Sequence, residues 1–208
     1  MRVLELFSGT CSVGRIFKER GHNVLAVDCD PKTDADEISD ILAWDYRRFE
    51  PRDFDVIWAS PPCTQYSICR TSAKTPRDLE GSDRLVARTL EIIRYLQPRF
   101  WFMENPQTGL LKTRDVVRDL PFKDVTYCSY GLPYRKKTRL WTNCVPWIPR
   151  PTCDGKTCPA MEGGTRHKAC AQGGYNITSG VKVPGVALNT RYAIPRRLVE
   201  EICDAVGG

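Results

Sequence analysis

The residues best suited to chemistry in this sequence are Cys63 and Glu104, each of which lies shortly after a short apolar run. Residues 55–63 read Asp-Val-Ile-Trp-Ala-Ser-Pro-Pro-Cys. The run predicts a buried strand that ends in a stiff loop, because proline cannot donate a backbone hydrogen bond. Ligands bind at the carboxyl ends of strands in open α/β sheets, so a thiol held there is a candidate nucleophile. The alternative is that Cys63 packs as a small apolar side chain, as most free cysteines do.

Glu104 follows a second strand-like run, residues 99–103, and precedes Asn105 and Pro106. Strands joined by crossovers lie side by side or nearly so, and we therefore expect Glu104 and Cys63 to face one cleft. A buried carboxyl group without a partner is costly, so Glu104 requires a partner or a changed proton affinity. The pair favours a site over a packed core.

The chain opens with a strand at 3–7, a glycine-containing turn at 8–14 and a helix at 15–20 that ends at Gly21. A second strand at 23–27 ends at Asp28, where a carboxylate is suited to a ribose diol. The complete G-x-G-x-x-G pattern is absent, so a dinucleotide is not favoured. Asp40, after a weak third strand, suits either an adenine amino group or an ordinary loop position.

The remaining elements have to hold these residues in place. Residues 64–83 form a long polar loop of the kind that serves as a lid, and residues 83–97 show helical periodicity with Ser82 or Asp83 as the cap. Residues 125–128 and 139–142 predict a hairpin whose loop is basic. Pro195 is suited to the first position of an amphipathic C-terminal helix.

Residues 144–188 lose strand and helix periodicity and predict an irregular insert. Within it, Cys153, Cys158, His167 and Cys170 have the residue types and short spacings of a zinc site, although the spacing matches none of the common zinc fingers. The alternative is four reduced side chains without a common ligand. A metal would explain how so polar a segment becomes ordered.

The composition fits a globular protein of 208 residues with a net charge of +6, which is compatible with a polyanionic partner. No apolar run approaches the roughly 20 residues that span a bilayer, and the N-terminus lacks the pattern of a secretory signal. These features predict an intracellular protein, with its ten cysteines reduced, bound to metal or chemically active.

Taken together, Leu6-Phe7-Ser8-Gly9, Asp28, Pro61-Pro62-Cys63 and Glu104-Asn105-Pro106 resemble the motifs of the cytosine-5 DNA methyltransferases in order and spacing. The resemblance covers residues 1–141 and returns at 189–205. It implies a Rossmann-like, S-adenosylmethionine-dependent α/β fold with a mainly parallel sheet, helices on both faces and a small insert. The implied division is a catalytic domain at 1–143, a target-recognition or zinc-like insert at 144–188, and a C-terminal motif and helix at 189–208.

The resemblance also implies roles for individual residues. Cys63 is the nucleophile that adds to carbon 6 of cytosine, and Glu104 holds or shares a proton with ring nitrogen 3 and the exocyclic amine. Arg139 is the expected contact to the base carbonyl oxygen. The target base is flipped out of double-stranded DNA. The residues expected to bind S-adenosylmethionine are Phe7, Ser8, Gly9, Thr10, Asp28, Cys29, Asp40, Ile41, Pro61 and Asn189.

The sequence departs from the family's pattern in ways that leave alternatives open. Tyr134 stands where the family has Gln, Asp28 replaces the usual Glu, and the stretch between Arg139 and Asn189 is short for a target-recognition region. An RNA or tRNA methyltransferase of the same fold therefore stays open, as does a catalytically idle nucleic-acid-binding module. We expect a monomer with no membrane contact. The compartment would be the cytoplasm of a bacterial or phage-infected cell, or the nucleus if the source is eukaryotic or viral.

Overall fold

A computed structural model of the chain describes residues 1–70, 73–162, 166–171, 174–175 and 182–207. Its centre is a seven-stranded sheet in the order β3-β2-β1-β4-β5-β7-β6. Strands β1 to β5 pair in parallel, while β7 is antiparallel to both β5 and β6. The strands are β1 (Arg2–Leu6), β2 (Asn23–Asp28), β3 (Glu37–Ile38), β4 (Val56–Ala59), β5 (Phe100–Pro106), β6 (Phe122–Thr126) and β7 (Lys137–Thr142).

The helices cover both faces of this sheet. Those described are α1 (Ser12–Glu19), α2 (Leu79–Leu96), α3 (Leu188–Tyr192) and α4 (Arg196–Gly207). Helices α1 and α4 contact each other and share one apolar cluster, whereas α2 packs into a separate cluster. The predicted α/β fold, mainly parallel with helices on both faces, is therefore confirmed.

The insert has little regular structure of its own. Within its described residues, two-residue strands form two small antiparallel pairs: β8 (Met161–Glu162) with β9 (Arg166–His167), and β10 (Gly174–Tyr175) with β11 (Lys182–Val183). Trp147 and Ala169 join the same apolar cluster as α1 and α4. The insert thus packs against the central sheet instead of forming a core of its own.

Several boundaries differ from the sequence-based expectation. Helix α2 begins at Leu79, four residues before the expected start, because Asp78 caps it by accepting a hydrogen bond from the Gly81 amide at 2.7 Å. Strand β5 runs on to Pro106, since its last residues pair with β7. Residues Tyr127–Tyr130 are not strand but a 3₁₀ turn directly after β6.

Helix α1 begins at Ser12, three residues earlier than expected. A residue of the neighbouring strand β1 accepts hydrogen bonds from its N-terminal amides. Cys11 makes no side-chain cap, and the carboxylate of Glu5 in β1 instead accepts hydrogen bonds from the amides of Val13 (3.3 Å) and Gly14 (2.9 Å). A Cβ at Gly14 would collide with that carboxylate. Glycine at this position therefore leaves room for the carboxylate that accepts these amides.

Burial is the main cause that raises the pKa of Glu5 to about 7, while the two amide hydrogen bonds act in the opposite direction. The folded protein therefore holds this proton more tightly than the unfolded chain, whose Glu titrates near 4.5. The resulting stability is complete below that unfolded pKa and is lost as the pH rises through about 7.

We expect Glu5→Gln to remove this part of the pH dependence, which amounts to about 3 kcal/mol over the full titration. Urea unfolding of the wild type and the variant between about pH 5 and pH 8 measures it. The exposed Glu80→Gln in α2 is the matched control and should keep the wild-type profile. Equal pH dependence in the wild type and Glu5→Gln would contradict the assignment.

None of the helices in the described ranges is both long and apolar enough to cross a bilayer.

Candidate active site

The loop after β4 holds Cys63 beside the end of β5. Pro61 is buried, and its carbonyl accepts a hydrogen bond of 2.9 Å from the Nδ2 of Asn105, which has no exposed surface. Asn105 is a residue of β5, so this bond joins the two strand ends directly. Pro62 is exposed and Cys63 is half-buried. The thiol is therefore held at the edge of the sheet and is open on one side.

Glu104 is buried at the same edge and has two partners. The hydroxyl of Tyr127 donates to its Oε1 at 3.2 Å, and the Nζ of Lys136 lies 3.5 Å from the same oxygen. The Lys136 ammonium also lies 4.7 Å from the centre of the Tyr127 ring. The carboxyl group therefore has the partners that its burial requires.

Burial and two nearby charged side chains shift the pKa of the Cys63 thiol. Burial is the largest cause that raises the pKa of its thiol, the nearby Glu104 carboxylate raises it further, and the Lys136 ammonium lowers it. These effects place Cys63 and Glu104 within electrostatic reach of each other, as the sequence predicts. They also make the resting residue a thiol at neutral pH, so the site must remove a proton before the sulfur can act.

Arg139 does not join this pair. In the β5–β7 register Leu140 lies opposite Glu104, and Arg139 lies opposite Asn105. Because successive side chains in a strand point to opposite faces, Arg139 lies on the other face of the sheet from Glu104. Its guanidinium there makes a two-pronged ion pair with Asp124, at 2.8 and 2.9 Å, and stacks on Phe122. Lys136 is the cation that reaches Glu104.

The turn between β1 and α1 has the backbone shape of a ligand loop. Phe7, Gly9 and Cys11 all have positive φ, at 56°, 47° and 50°. A Cβ at Gly9 would meet only the Phe7 carbonyl oxygen, at 4.0 Å, so the space over this turn is open. Ser8 is buried and Thr10 half-buried beside it.

Asp28 at the end of β2 is tied to this turn. Its two carboxylate oxygens accept the amides of Gly9 (2.8 Å) and Asp30 (2.9 Å). A carboxylate has about four acceptor positions, so Asp28 keeps capacity for two ribose hydroxyls. The adjacent Cys29 is exposed. The turn and this acid fit the nucleoside part of S-adenosylmethionine.

Asp40 and Ile41 lie at the same edge, beyond β3. Asp40 is exposed and accepts the Leu42 amide at 2.9 Å, which leaves its second oxygen for an amino group. Ile41 is buried and packs with Trp44 in the α2 cluster. Both residues therefore follow the carboxyl end of β3, next to β2, the strand that Asp28 ends.

The segment that carries Asn189 closes the region from the other side. Asn189 is exposed in α3. The next carbonyls in the chain, those of Thr190 and Arg191, accept hydrogen bonds from the Tyr134 hydroxyl (2.9 Å) and the Lys136 ammonium (3.2 Å). The Ile194 amide donates to the Ser12 hydroxyl at 2.9 Å. The segment therefore connects the first residue of α1 to the loop that carries Lys136.

Three of the four predicted metal ligands lie together in the structure, and Cys128 takes the place of the fourth. The ligand atoms of Cys128, Cys153, Cys158 and His167 all lie within 4.8 Å of one another, an arrangement compatible with a metal ion. Cys170 is not among them. Its amide donates to the Pro184 carbonyl at 3.1 Å, and its backbone forms a bridge with Gly185. The set that includes Cys170 is therefore corrected to one that includes Cys128.

Sequence reasoning missed Tyr127, Lys136 and Cys128. The sequence predicts a strand for Tyr127 and Cys128. Neighbouring side chains of a strand point to opposite faces, so this prediction assigns neither residue to a site. Lys136 was one of several cations in a basic loop, and nothing local distinguishes it from Lys137. For Tyr127 and Cys128 the residue type itself is a signal. A buried tyrosine requires a hydrogen-bond partner, and a further cysteine is a candidate ligand when other cysteines and a histidine lie near.

Comparison with solved structures supports the fold. The chain aligns with a prophage-encoded "DNA modification methyltransferase" from E. coli at a TM-score of 0.53 and 16% identity, covering 84% of this chain and 58% of that one. It aligns with the Entamoeba histolytica methyltransferase EhMeth at a TM-score of 0.54 and 17% identity, covering 72% and 55%. This chain thus spans a little over half the length of each, and the likeness concerns the fold.

Sequence comparison identifies the family. The chain is 39% identical over 223 aligned positions to the "Probable DNA (cytosine-5)-methyltransferase" of Frog virus 3 (isolate Goorha), covering 98% of this chain and 99% of that protein. The family described as "C-5 cytosine-specific DNA methylase" matches residues 1–119, which include Cys63, Glu104 and the turn before α1. The protein therefore belongs to the C-5 cytosine-specific DNA methylases, the enzymes that transfer a methyl group from S-adenosylmethionine to carbon 5 of cytosine in DNA.

Proposed function

We propose that this protein methylates a cytosine flipped out of double-stranded DNA, with Cys63 as the nucleophile and Glu104 as the acid that binds the base. The observation that carries the proposal is the convergence of Cys63, Glu104 and Lys136 at the ends of β4 and β5, next to an open ligand turn. Carbon 5 of cytosine is a poor nucleophile until a sulfur adds to carbon 6, and this cluster supplies the sulfur and the groups that stabilise the adduct.

Each residue of the cluster has a separate task. The Cys63 sulfur adds to carbon 6, and Glu104 hydrogen-bonds ring nitrogen 3 and the exocyclic amine. The proton that leaves the Cys63 thiol passes through solvent to the position shared by Glu104 and nitrogen 3, and this neutralises the carboxylate that raises the pKa of the thiol in the free protein. Base binding therefore promotes formation of the thiolate. Tyr127 and Lys136 hold Glu104 in position during this exchange.

S-adenosylmethionine, when bound, supplies an electrophilic methyl group on a sulfonium. The residues that would hold it are the turn at Phe7, Ser8, Gly9 and Thr10, with Asp28 on the ribose and Asp40 near the adenine. Cys29, Ile41, Pro61 and Asn189 would complete its surroundings. After transfer, loss of the carbon 5 proton to water and elimination of Cys63 restore the aromatic ring.

The covalent step can be trapped with a DNA duplex that contains 5-fluorocytosine, since fluorine cannot leave as a proton does. With S-adenosylmethionine present, we expect the wild type to form a stable adduct whose mass localises to the peptide with Cys63. Cys63→Ala should form none, and Glu104→Gln should form it about 10²–10³ times more slowly.

Cys69→Ala is the matched control, because Cys69 is an exposed cysteine on the following loop and should not affect the adduct. An adduct that persists in Cys63→Ala, or its absence in the wild type, would refute the mechanism. The same experiment on a structured RNA separates an RNA methyltransferase from a DNA enzyme, since adduct formation on RNA alone would refute the DNA substrate.

Lys136 should set the pH at which Cys63 reacts. We expect Lys136→Gln to move the alkylation of Cys63 by iodoacetamide to higher pH, because the ammonium lowers the pKa of that thiol. Peptide mass spectrometry measures alkylation at Cys63 separately from the other cysteines. Lys137→Gln, which changes an exposed neighbour, should leave the Cys63 profile in place, and equal profiles for both variants would contradict the role of Lys136.

Asp28 should contribute to binding of the methyl donor. We expect Asp28→Asn to weaken S-adenosylmethionine binding about 10–100-fold, since hydrogen bonds to a charged acceptor contribute about 1.5–3 kcal/mol. Titration calorimetry measures the affinity, and urea unfolding verifies that the turn before α1 is intact. The exposed Asp30→Asn is the control and should bind as the wild type does. Unchanged affinity in Asp28→Asn would place the ribose elsewhere.

A further inference from the structure

Three thiols and one imidazole meet where the insert lies on the end of β6. Cys128 is buried in the 3₁₀ turn after β6, while Cys153, Cys158 and His167 belong to the insert and are half-buried. Their ligand atoms lie within 4.8 Å of one another, and the Cys153 sulfur is 3.5 Å from the Nε2 of His167. The cluster therefore brings together residues that the sequence separates into two regions.

We propose that Cys128, Cys153, Cys158 and His167 bind one structural zinc ion that fastens the insert to the 3₁₀ turn after β6. Thiolate and imidazole are the ligands that zinc prefers in closed four-coordinate sites. Zinc bonds of about 2.3 Å to sulfur and about 2.0 Å to nitrogen give tetrahedral edges of about 3.5–3.8 Å. The Cys153–His167 distance already has this value, and the widest pair has to close by about 1 Å.

The surroundings of Cys153 support this assignment independently. The Gly155 amide donates to the Cys153 sulfur at 3.3 Å, and the Cys153 amide donates to the Thr126 hydroxyl at 2.8 Å. Gly155 adopts a φ of 76°, a conformation that other residues rarely reach. Amides aimed at a sulfur neutralise part of a thiolate's charge, as the outer shell of a metal site does.

The metal also accounts for how this part of the insert is held. Its described strands are two residues long, and its backbone touches the turn after β6 through single contacts such as Ser129 to the Pro151 carbonyl, at 2.9 Å. Trp147 and Ala169 are buried in the apolar cluster, but the described residues from 153 to 167 add no buried apolar side chain to it. Zinc ligation would contribute folding free energy directly to this stretch. Four protein ligands leave no open coordination position, so the ion is structural and not catalytic.

The position of Cys128 connects this ion to the active site. Tyr127, the preceding residue, donates the hydrogen bond to Glu104, and its amide donates to the Lys136 carbonyl at 3.1 Å. Fixing Cys128 therefore fixes the turn from which Tyr127 reaches the acid. The zinc site has its own evidence and does not depend on the proposed methylation mechanism.

Metal content of the full-length protein tests the proposal. Purified without chelator, the wild type should carry about one zinc ion per chain by plasma mass spectrometry. Cys128→Ser should lose the ion, and Cys170→Ser, which changes a cysteine of the insert that lies outside the cluster, should keep it. No zinc in the wild type after incubation with zinc salt would overturn the proposal, as would loss in Cys170→Ser with retention in Cys128→Ser.

A measurement on the wild type keeps the test valid if Cys128→Ser fails to fold. Cobalt(II) added to the metal-free protein should give the intense visible bands of tetrahedral coordination and the ultraviolet charge-transfer absorption of bound thiolates. Iodoacetamide should then spare Cys153 and Cys158 but still modify Cys170. Octahedral cobalt spectra, or equal modification of Cys153 and Cys170 in the metal-loaded protein, would refute the site.

Discussion

A single buried hydrogen bond, from the Asn105 side chain to the Pro61 carbonyl, joins the two strand ends on which the chemistry depends. Proline removes the amides that would otherwise continue the β4 ladder, so the loop that carries Cys63 needs another attachment. Asn105 supplies it from the residue next to Glu104. A buried hydrogen bond contributes about 1 kcal/mol net, but an orphaned partner costs about 1–3 kcal/mol, so the two strand ends are strongly held in one arrangement. Cys63 and Glu104 are thereby fixed relative to each other.

The charges around Glu104 form a balance that the substrate can shift. The carboxylate disfavours a thiolate at Cys63, and Lys136 favours one. In the free protein the sulfur is protected as a thiol, which limits oxidation and wasteful alkylation. Under the mechanism we propose, a base that shares a proton with Glu104 would remove the opposing charge when the sulfur has to react. Base recognition and thiol reactivity would then depend on the same carboxyl group.

Structural support for this carboxyl group comes from distant parts of the chain. Tyr127 follows β6, Lys136 precedes β7, and the carbonyl of Arg191 in α3 accepts from the Lys136 ammonium. The insert contacts the same turn through Cys128 and Thr126. The region between β7 and α3 therefore has a structural connection to Glu104.

The sequence alone determined the fold class, the position of Cys63 and Glu104 just after two strands, and the glycine-containing turn after β1 with Asp28 at the end of β2, because each rests on local signals. Proline after an apolar run ends a strand, glycine opens a turn, and parallel strands present their carboxyl ends at one edge. Only the tertiary structure decided which cation reaches Glu104 and which cysteine completes the metal cluster. Arg139 and Lys136 are three residues apart, yet strand register puts Arg139 on the opposite face, against Asp124. Cys128 and Cys170 are equally plausible as ligands by type, and long-range packing of the insert onto β6 selects Cys128. Strand register and packing depend on contacts between segments that are distant in the sequence. Residue types and spacing within one segment do not determine those contacts.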